Sequence, residues 1–137
     1  MFIMSRRDKE FQKKDFSLRK RLKSFRDAFH GIGTLLRYEH NARIHLVILV
    51  SVIIAGMLFR ISGTDWMAIL FVSGLVFVSE CFNTAVEYIS DLITDEHNEI
   101  IRKAKDVAAA GVLISAIISI LIGIIVFLPA IHKLFVK

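Results

Sequence analysis

One stretch of the sequence combines acidic and amide side chains at helical spacing. It consists of Glu80, Asn83, Thr84 and Glu87, followed by Asp91. On an α-helix, which turns by about 100° per residue, these offsets place all five side chains within an arc of about 100°. Carboxylate and amide oxygens gathered on one face are the ligands that hard cations such as Mg²⁺ take. The spacing therefore predicts a polar stripe that faces protein, water or a cation.

The polar stripe lies inside one of three long apolar segments. Residues 66–90 carry only two charged residues, Glu80 and Glu87, and residues 107–131 carry none, with Pro129 near their end. The first segment, residues 44–60, has 16 residues without Asp, Glu, Lys or Arg. At 1.5 Å per residue it covers about 24 Å of a hydrocarbon core of ~30 Å, so it needs flanking residues. The pattern predicts an all-α integral membrane protein with three transmembrane helices.

The composition agrees with a membrane domain that has polar ends. The chain has 137 residues, of which 55% are hydrophobic and 23% charged, so the two classes are segregated along the sequence. This length suits one domain over residues 1–137. The single cysteine, Cys81, excludes an intrachain disulfide and a cysteine metal cluster within one chain.

The distribution of basic residues predicts the orientation in the membrane. Residues 1–27 contain ten of the 18 basic residues and only four acids, a net charge of +6. By the positive-inside rule we expect a cytoplasmic N-terminus, an outside turn at residues 61–65, a cytoplasmic stretch at 91–106 and an outside C-terminus.

Residues 1–36 form a basic segment with a helical apolar stripe. The stripe consists of Leu18, Leu22, Phe25, Phe29, Ile32 and Leu36. An amphipathic basic helix of this kind lies in the membrane interface, or it packs its apolar face on other helices. We favour the interface and expect no nucleic-acid partner.

In this topology several acids meet on the cytoplasmic side. Glu80 and Glu87 lie in the inner half of the second span, while Glu39 precedes the first span and Lys105 and Asp106 precede the third. Ionisable groups inside a membrane are costly and usually functional. Such a group of carboxylates with a lysine suits a magnesium-nucleotide site. Each polar residue also has a simpler explanation. Asn83 could form an interhelical hydrogen bond, and Asp106 could stabilise the first turn of the third helix through the helix dipole. Lys105 could extend its side chain from the helix end to the membrane interface.

Two other classes of function compete with nucleotide chemistry. A proton-coupled transporter would use an intramembrane glutamate, but it would place it near the middle of the bilayer rather than at one end. A scaffold whose basic helix binds anionic lipid would leave Glu80 and Glu87 unexplained. No soluble-kinase phosphate loop is present, so phosphoryl transfer would need another scaffold.

Three sequence motifs resemble the prokaryotic diacylglycerol kinase family, which includes undecaprenol kinases. The first runs from Glu80 to Asp91 with the spacing E-x-x-N-[ST]-A-x-E-x-x-x-D, and a Lys105-Asp106 pair follows downstream. Residues 24–32 resemble the surface-helix segment of the family. Residues 39–45, Glu-His-Asn-Ala-Arg-Ile-His, resemble the entry of the first span and are closer to the undecaprenol-kinase branch. His30 and His40 depart from the common family residues, and these departures bear on the choice of lipid.

The resemblance implies a homotrimer in the bacterial inner (cytoplasmic) membrane, with active sites shared between neighbouring subunits. It implies ATP as phosphoryl donor, Mg²⁺ as cofactor, and a lipid alcohol as acceptor, with undecaprenol favoured over diacylglycerol. Glu80 is then the catalytic residue, and Glu39 and Glu87 hold the metal. The nucleotide contacts Glu39, Asn83, Glu87, Lys105 and Asp106. The lipid substrate contacts Arg26, Glu80 and Asn83.

Overall fold

The computed structural model describes residues 17–94 and 96–135 as helices joined by short connections. The helices are α1 (Leu18–Tyr38), α2 (His40–Phe59), α3 (Gly63–Ile93) and α4 (Glu99–Phe135). Among the described residues, α2, α3 and the Glu99–Lys133 part of α4 are long and apolar enough to cross a membrane. The prediction of three such helices is confirmed.

Helix α1 carries the predicted apolar stripe, and a unit boundary between Gly33 and Thr34 divides it. Within the first unit the five apolar side chains are 49–71% exposed: Leu18, Leu22, Phe25, Phe29 and Ile32. Residues 18–38 are helical, whereas an amphipathic helix at a membrane surface stays a prediction. Residues 1–16, which hold five of the ten basic residues of 1–27, lie outside the described residues.

The connection between α2 and α3 is a tight turn fixed by hydrogen bonds at both helix ends. At the end of α2, Arg60 adopts a left-handed conformation (φ 50°, ψ 52°) and the Ile61 N–H donates to the Gly56 carbonyl. This is a Schellman arrangement, which satisfies carbonyls that have no partner inside the helix. Ser62 then caps α3, because its hydroxyl accepts from the Asp65 N–H and the Asp65 carboxylate accepts from the Ser62 N–H. A tight turn is present where the sequence predicted one, but it is shorter than residues 61–65, because Gly63, Thr64 and Asp65 already belong to α3.

Helices α2, α3 and α4 pack in an antiparallel manner, with α3 in contact chiefly with α4. The Phe59 ring of α2 meets the Phe127 ring of α4 edge to face, with centroids 6.0 Å apart. The buried face of α3 continues from Ile69, Val72 and Val76 directly into Glu80 and Asn83. Glu80, Asn83 and Thr84 therefore extend the packing face of α3, which confirms the prediction of an internal face for this part of the polar stripe, whereas Asp91 at its end is 66% exposed.

The helices are longer than the predicted spans. Helix α2 begins at His40, so its 20 residues cover about 30 Å and reach across a typical hydrocarbon core. The predicted polar stretch at residues 91–106 is mostly helical, because α3 continues to Ile93 and α4 begins at Glu99. The Asn98 side chain caps α4 by accepting from the N–H groups of Ile100 and Ile101. Helix α4 also continues past Pro129 to Phe135.

Gly56 allows a close approach of α2 to the start of α3, and we expect Gly56→Ala to destabilise the bundle. A Cβ atom at this position would lie 2.7 Å from the Trp66 Cη2 atom. Because the indole ring is rigid, the helices must shift, at a cost of about 1–3 kcal/mol. Unfolding of the purified protein in mixed micelles by SDS measures the change. In Gly74→Ala the added methyl group meets nothing within 4 Å in the protomer, and this control should be at least as stable as the wild type.

Candidate active site

The most buried large side chain of the described residues is the carboxylate of Glu80, which is 2% exposed. Its Oε1 atom lies 3.2 Å from Nε2 of His45, which α2 brings against it. The angle of this contact is poor for a hydrogen bond, and Oε1 has no other hydrogen-bond partner among the described residues. A carboxylate this deeply buried is costly to hold ionised unless a donor or a cation faces it.

His45 is the site neighbour that the sequence prediction missed. It is the last residue of the 39–45 motif and the second residue of the first apolar segment, and the sequence analysis gave it no role. A histidine inside an apolar segment is a usable signal, because its polar ring needs a partner.

One and two turns towards the end of α3, the polar stripe continues with Asn83, Thr84 and Glu87. The Asn83 Nδ2 group donates to Glu87 Oε1 over 2.9 Å. Asn83 Oδ1 and Thr84 Oγ1 are buried and have no hydrogen-bond partner among the described residues. Buried polar atoms without partners cost about 1–3 kcal/mol each and are rare outside functional regions. The two unpaired oxygens therefore mark this part of α3 as a candidate functional region.

Glu39 belongs to the same group of carboxylates. It is the residue directly before α2, with an extended backbone (φ −94°, ψ 117°). Its charge acts on Glu80 and also on the hydroxyl of Tyr88. Glu87 is likewise an electrostatic neighbour of both groups. Glu39 and Glu87 are thus both electrostatic neighbours of Glu80, and their grouping into one site stays a prediction.

Lys105 and Asp106 lie at a second location, around the connection between α3 and α4. Lys105 Nζ is 3.0 Å from Asp91 Oδ1, and Asp106 Oδ2 accepts from Arg102 over 2.9 Å. Both residues line a cavity of about 470 Å³. Its other described lining residues are Asp91, Thr94, Glu96, His97, Asn98, Ile101 and Arg102.

The two locations are electrostatically connected. Glu87 is one of the carboxylates whose charge acts on Lys105. Glu87 is thus the described residue through which the interior group and the basic residues of the cavity are electrostatically related.

Arg26 is the remaining predicted site residue, and it lies in the unit that ends at Gly33. Its guanidinium is exposed, with Nε 3.9 Å from the Asp27 carboxylate. Exposed pairs of this kind add little stability, so the arginine is free to exchange its partner. Its contact with a lipid substrate stays a prediction.

The donor atoms of the interior group fit a magnesium ion that arrives with a nucleotide. Within the described residues no three His, Cys, Asp or Glu side chains converge to hold a metal ion. Mg²⁺ typically needs only one or two protein carboxylates, because phosphate oxygens and water complete its coordination. The half-buried Glu87 and the nearby Glu39 supply that number.

Comparison with known proteins gives consistent matches over most of the chain. A family model for prokaryotic diacylglycerol kinase matches residues 26–127. An undecaprenol kinase of Bacillus subtilis (strain 168) is 42% identical over 107 residues, which cover 78% of this chain and 87% of that protein. A diacylglycerol kinase of Synechocystis sp. is 34% identical over 116 residues, which cover 84% of this chain and 66% of that protein. Every candidate site residue lies within the range that the family model matches.

Proposed function

The chain belongs to the prokaryotic diacylglycerol kinase family, and from this premise we propose that it transfers the γ-phosphate of ATP to the hydroxyl of undecaprenol. As a member of this family the protein is a membrane-bound lipid kinase. The observation that supports the proposed site is the buried Glu80 carboxylate beside further unpaired polar oxygens on one face of α3. The preference for undecaprenol over diacylglycerol is supported by the 42% identity to the Bacillus undecaprenol kinase.

The proposed chemistry assigns a separate role to each interior carboxylate. Glu80 accepts or orients the proton of the lipid hydroxyl as the lipid oxygen attacks the γ-phosphorus. Glu39 and Glu87 would hold Mg²⁺, which supplies neutralisation of the phosphate charge when it is bound. Asn83 lies between Glu80 and Glu87 on the stripe, and its Oδ1 is buried without a hydrogen-bond partner among the described residues.

The polar cavity is the proposed position of the rest of the nucleotide. Lys105 can leave Asp91 for a phosphate oxygen, since the pair is exposed and an exposed ion pair contributes at most about 1 kcal/mol. Asp106 lines the same cavity on the side of Arg102. Arg26 is proposed to contact the lipid head at the interface. Phosphoryl transfer needs little more than such positioning and charge neutralisation.

We propose that the active unit is a homotrimer with active sites shared between subunits. Large apolar side chains of the bundle are strongly exposed in the single protomer, among them Leu58, Phe71 and Phe82 at 70–75%. In a membrane these surfaces face lipid or other copies of the bundle. The proposal is a single membrane domain over residues 1–137 in the bacterial inner membrane. Its N-terminus is cytoplasmic, its C-terminus is outside, and the basic segment 1–36 lies in the interface.

Transfer of labelled phosphate tests the proposed function directly. The purified protein in mixed micelles, given Mg²⁺ and γ-labelled ATP, is expected to label undecaprenol, and to label diacylglycerol more slowly. Equal or faster labelling of diacylglycerol would reverse the proposed substrate preference.

If the folded wild type labels neither lipid, the lipid-alcohol assignment is wrong. In that case a proton-coupled transporter is the second candidate, since an intramembrane glutamate also serves proton transfer. Proton flux into proteoliposomes would then be the measurement to make.

A further inference from the structure

The contact between His45 and Glu80 joins two helices at the most buried charge of the bundle. The imidazole is 20% exposed and the carboxylate 2% exposed, with Nε2 and Oε1 3.2 Å apart. His45 lies near the start of α2 and Glu80 in the second half of α3, so only the antiparallel packing of the two helices brings them together. The contact is therefore a product of the tertiary structure.

Glu80 needs a hydrogen-bond donor more than its neighbours do. The other titratable groups that act on it are Glu39 and Glu87, which are both acidic and repel an ionised carboxylate. From α4 the buried Ser115 is not available as a donor, because its hydroxyl already donates to the Val112 carbonyl. His45 Nε2 lies 3.2 Å from Oε1, which has no hydrogen-bond partner among the described residues, and a small turn of the imidazole ring would align its N–H with that oxygen.

His45 does not line the cavity proposed for most of the nucleotide. The residue is not among those that line the 470 Å³ cavity with Lys105. It borders instead a cavity of about 50 Å³, whose lining includes Ser73 and Ser119. That space is large enough for water and too small for a nucleotide. His45 is therefore placed to act on the reaction through its neighbour Glu80.

We propose that His45 is a positioning residue for Glu80. The Nε2–H group of His45 donates to Oε1 of Glu80 and so turns Oε2 towards the lipid hydroxyl. This inference rests on the proposed role of Glu80 in lipid phosphorylation. The lipid hydroxyl proton passes to Oε2 while the lipid oxygen forms its bond to the γ-phosphorus. The bond from the γ-phosphorus to the bridging oxygen breaks, and ADP leaves. The imidazole keeps its proton throughout, so a neutral donor is sufficient.

The test compares two substitutions of His45 in the full-length protein. His45→Leu removes the donor and is expected to lower kcat for lipid phosphorylation by about 10²-fold, the loss typical of a displaced reacting group. The KM for MgATP should change by less than about threefold, because the nucleotide contacts are elsewhere. His45→Gln offers an amide N–H near the position of Nε2 and should recover most of kcat. His132→Leu, the same change near the end of α4, is the control and should match the wild type.

A second comparison separates a positioning role from a general loss of structure. In the Glu80→Gln background, His45→Leu should cause no further loss of the residual rate, since the group that it positions is already gone. The inference is overturned if His45→Leu has the wild-type kcat, if it raises KM alone, or if His45→Gln is as inactive as His45→Leu. A wild type that phosphorylates no lipid overturns the proposed function instead, before His45 is tested.

Discussion

Glu80→Gln lowers the rate of lipid phosphorylation by about 10²–10⁴-fold, the range expected when a general base is removed. Glutamine has nearly the shape of glutamate, but its side-chain amide does not accept a proton as a carboxylate does. The substitution also removes a carboxylate that is buried at 2% exposure, so the fold should not lose stability. Turnover with labelled ATP and micellar lipid measures the effect.

Asp65→Asn provides the matched control for this substitution. It makes the same carboxylate-to-amide change at the other end of α3, where an amide oxygen can still accept from the Ser62 N–H. This variant should retain wild-type turnover. A Glu80→Gln protein with wild-type turnover would show that the buried carboxylate is structural, and the catalytic assignment would have to be abandoned.

Glu87→Gln has the second large effect, and it should depend on the magnesium concentration. Loss of one of two proposed carboxylate ligands is expected to lower activity at a fixed low Mg²⁺ concentration by about 10²-fold. The hydrogen bond from Asn83 to Oε1 of residue 87 can persist in the variant, because the amide keeps an acceptor oxygen. The activity of Glu87→Gln should therefore rise as the Mg²⁺ concentration is increased. The wild-type protein is already saturated with Mg²⁺, and its activity should not rise.

The Glu80→Gln variant is the reference for this measurement. Its lost rate should not return at high Mg²⁺, because its defect is in proton acceptance rather than in metal affinity. If Glu87→Gln shows the wild-type Mg²⁺ dependence with a lowered rate, Glu87 does not hold the metal. A role through its hydrogen bond to Asn83 would then be the better explanation.

Local periodicity was enough to predict most of the architecture. The arc formed by Glu80, Asn83 and Glu87 follows from helix geometry alone, and these residues do lie on the interior side of α3. The three apolar helices and the tight turn at Ser62 follow from short-range signals of the same kind. The family motif led to the lipid-kinase assignment, which the comparisons confirmed. The trimer, the orientation in the membrane and the roles of single residues stay predictions.

The differences arise where helix ends and neighbours decide the structure. The polar stretch from Asp91 to Asp106 was expected to lie at the surface, and its polarity did not indicate a helix. The Asn98 cap and the ion pairs of Arg102 with Glu99 and Asp106 favour helix from Glu99 onward. Such caps and i, i+3 and i, i+4 pairs stabilise a polar helix without an apolar face. A hydropathy pattern alone does not reveal these caps and ion pairs.

The sequence by itself determined which residues share a face of α3, because that depends only on the turn per residue along one helix. It also determined the family, because the E-x-x-N-[ST]-A-x-E spacing and the Lys105-Asp106 pair are local patterns. Only the tertiary structure decided that His45 faces Glu80. This neighbour comes from another helix, and its register depends on packing such as that of Gly56 against Trp66. Contacts between distant segments depend on how well whole helix surfaces fit together. The spacing of residues within one segment does not predict them.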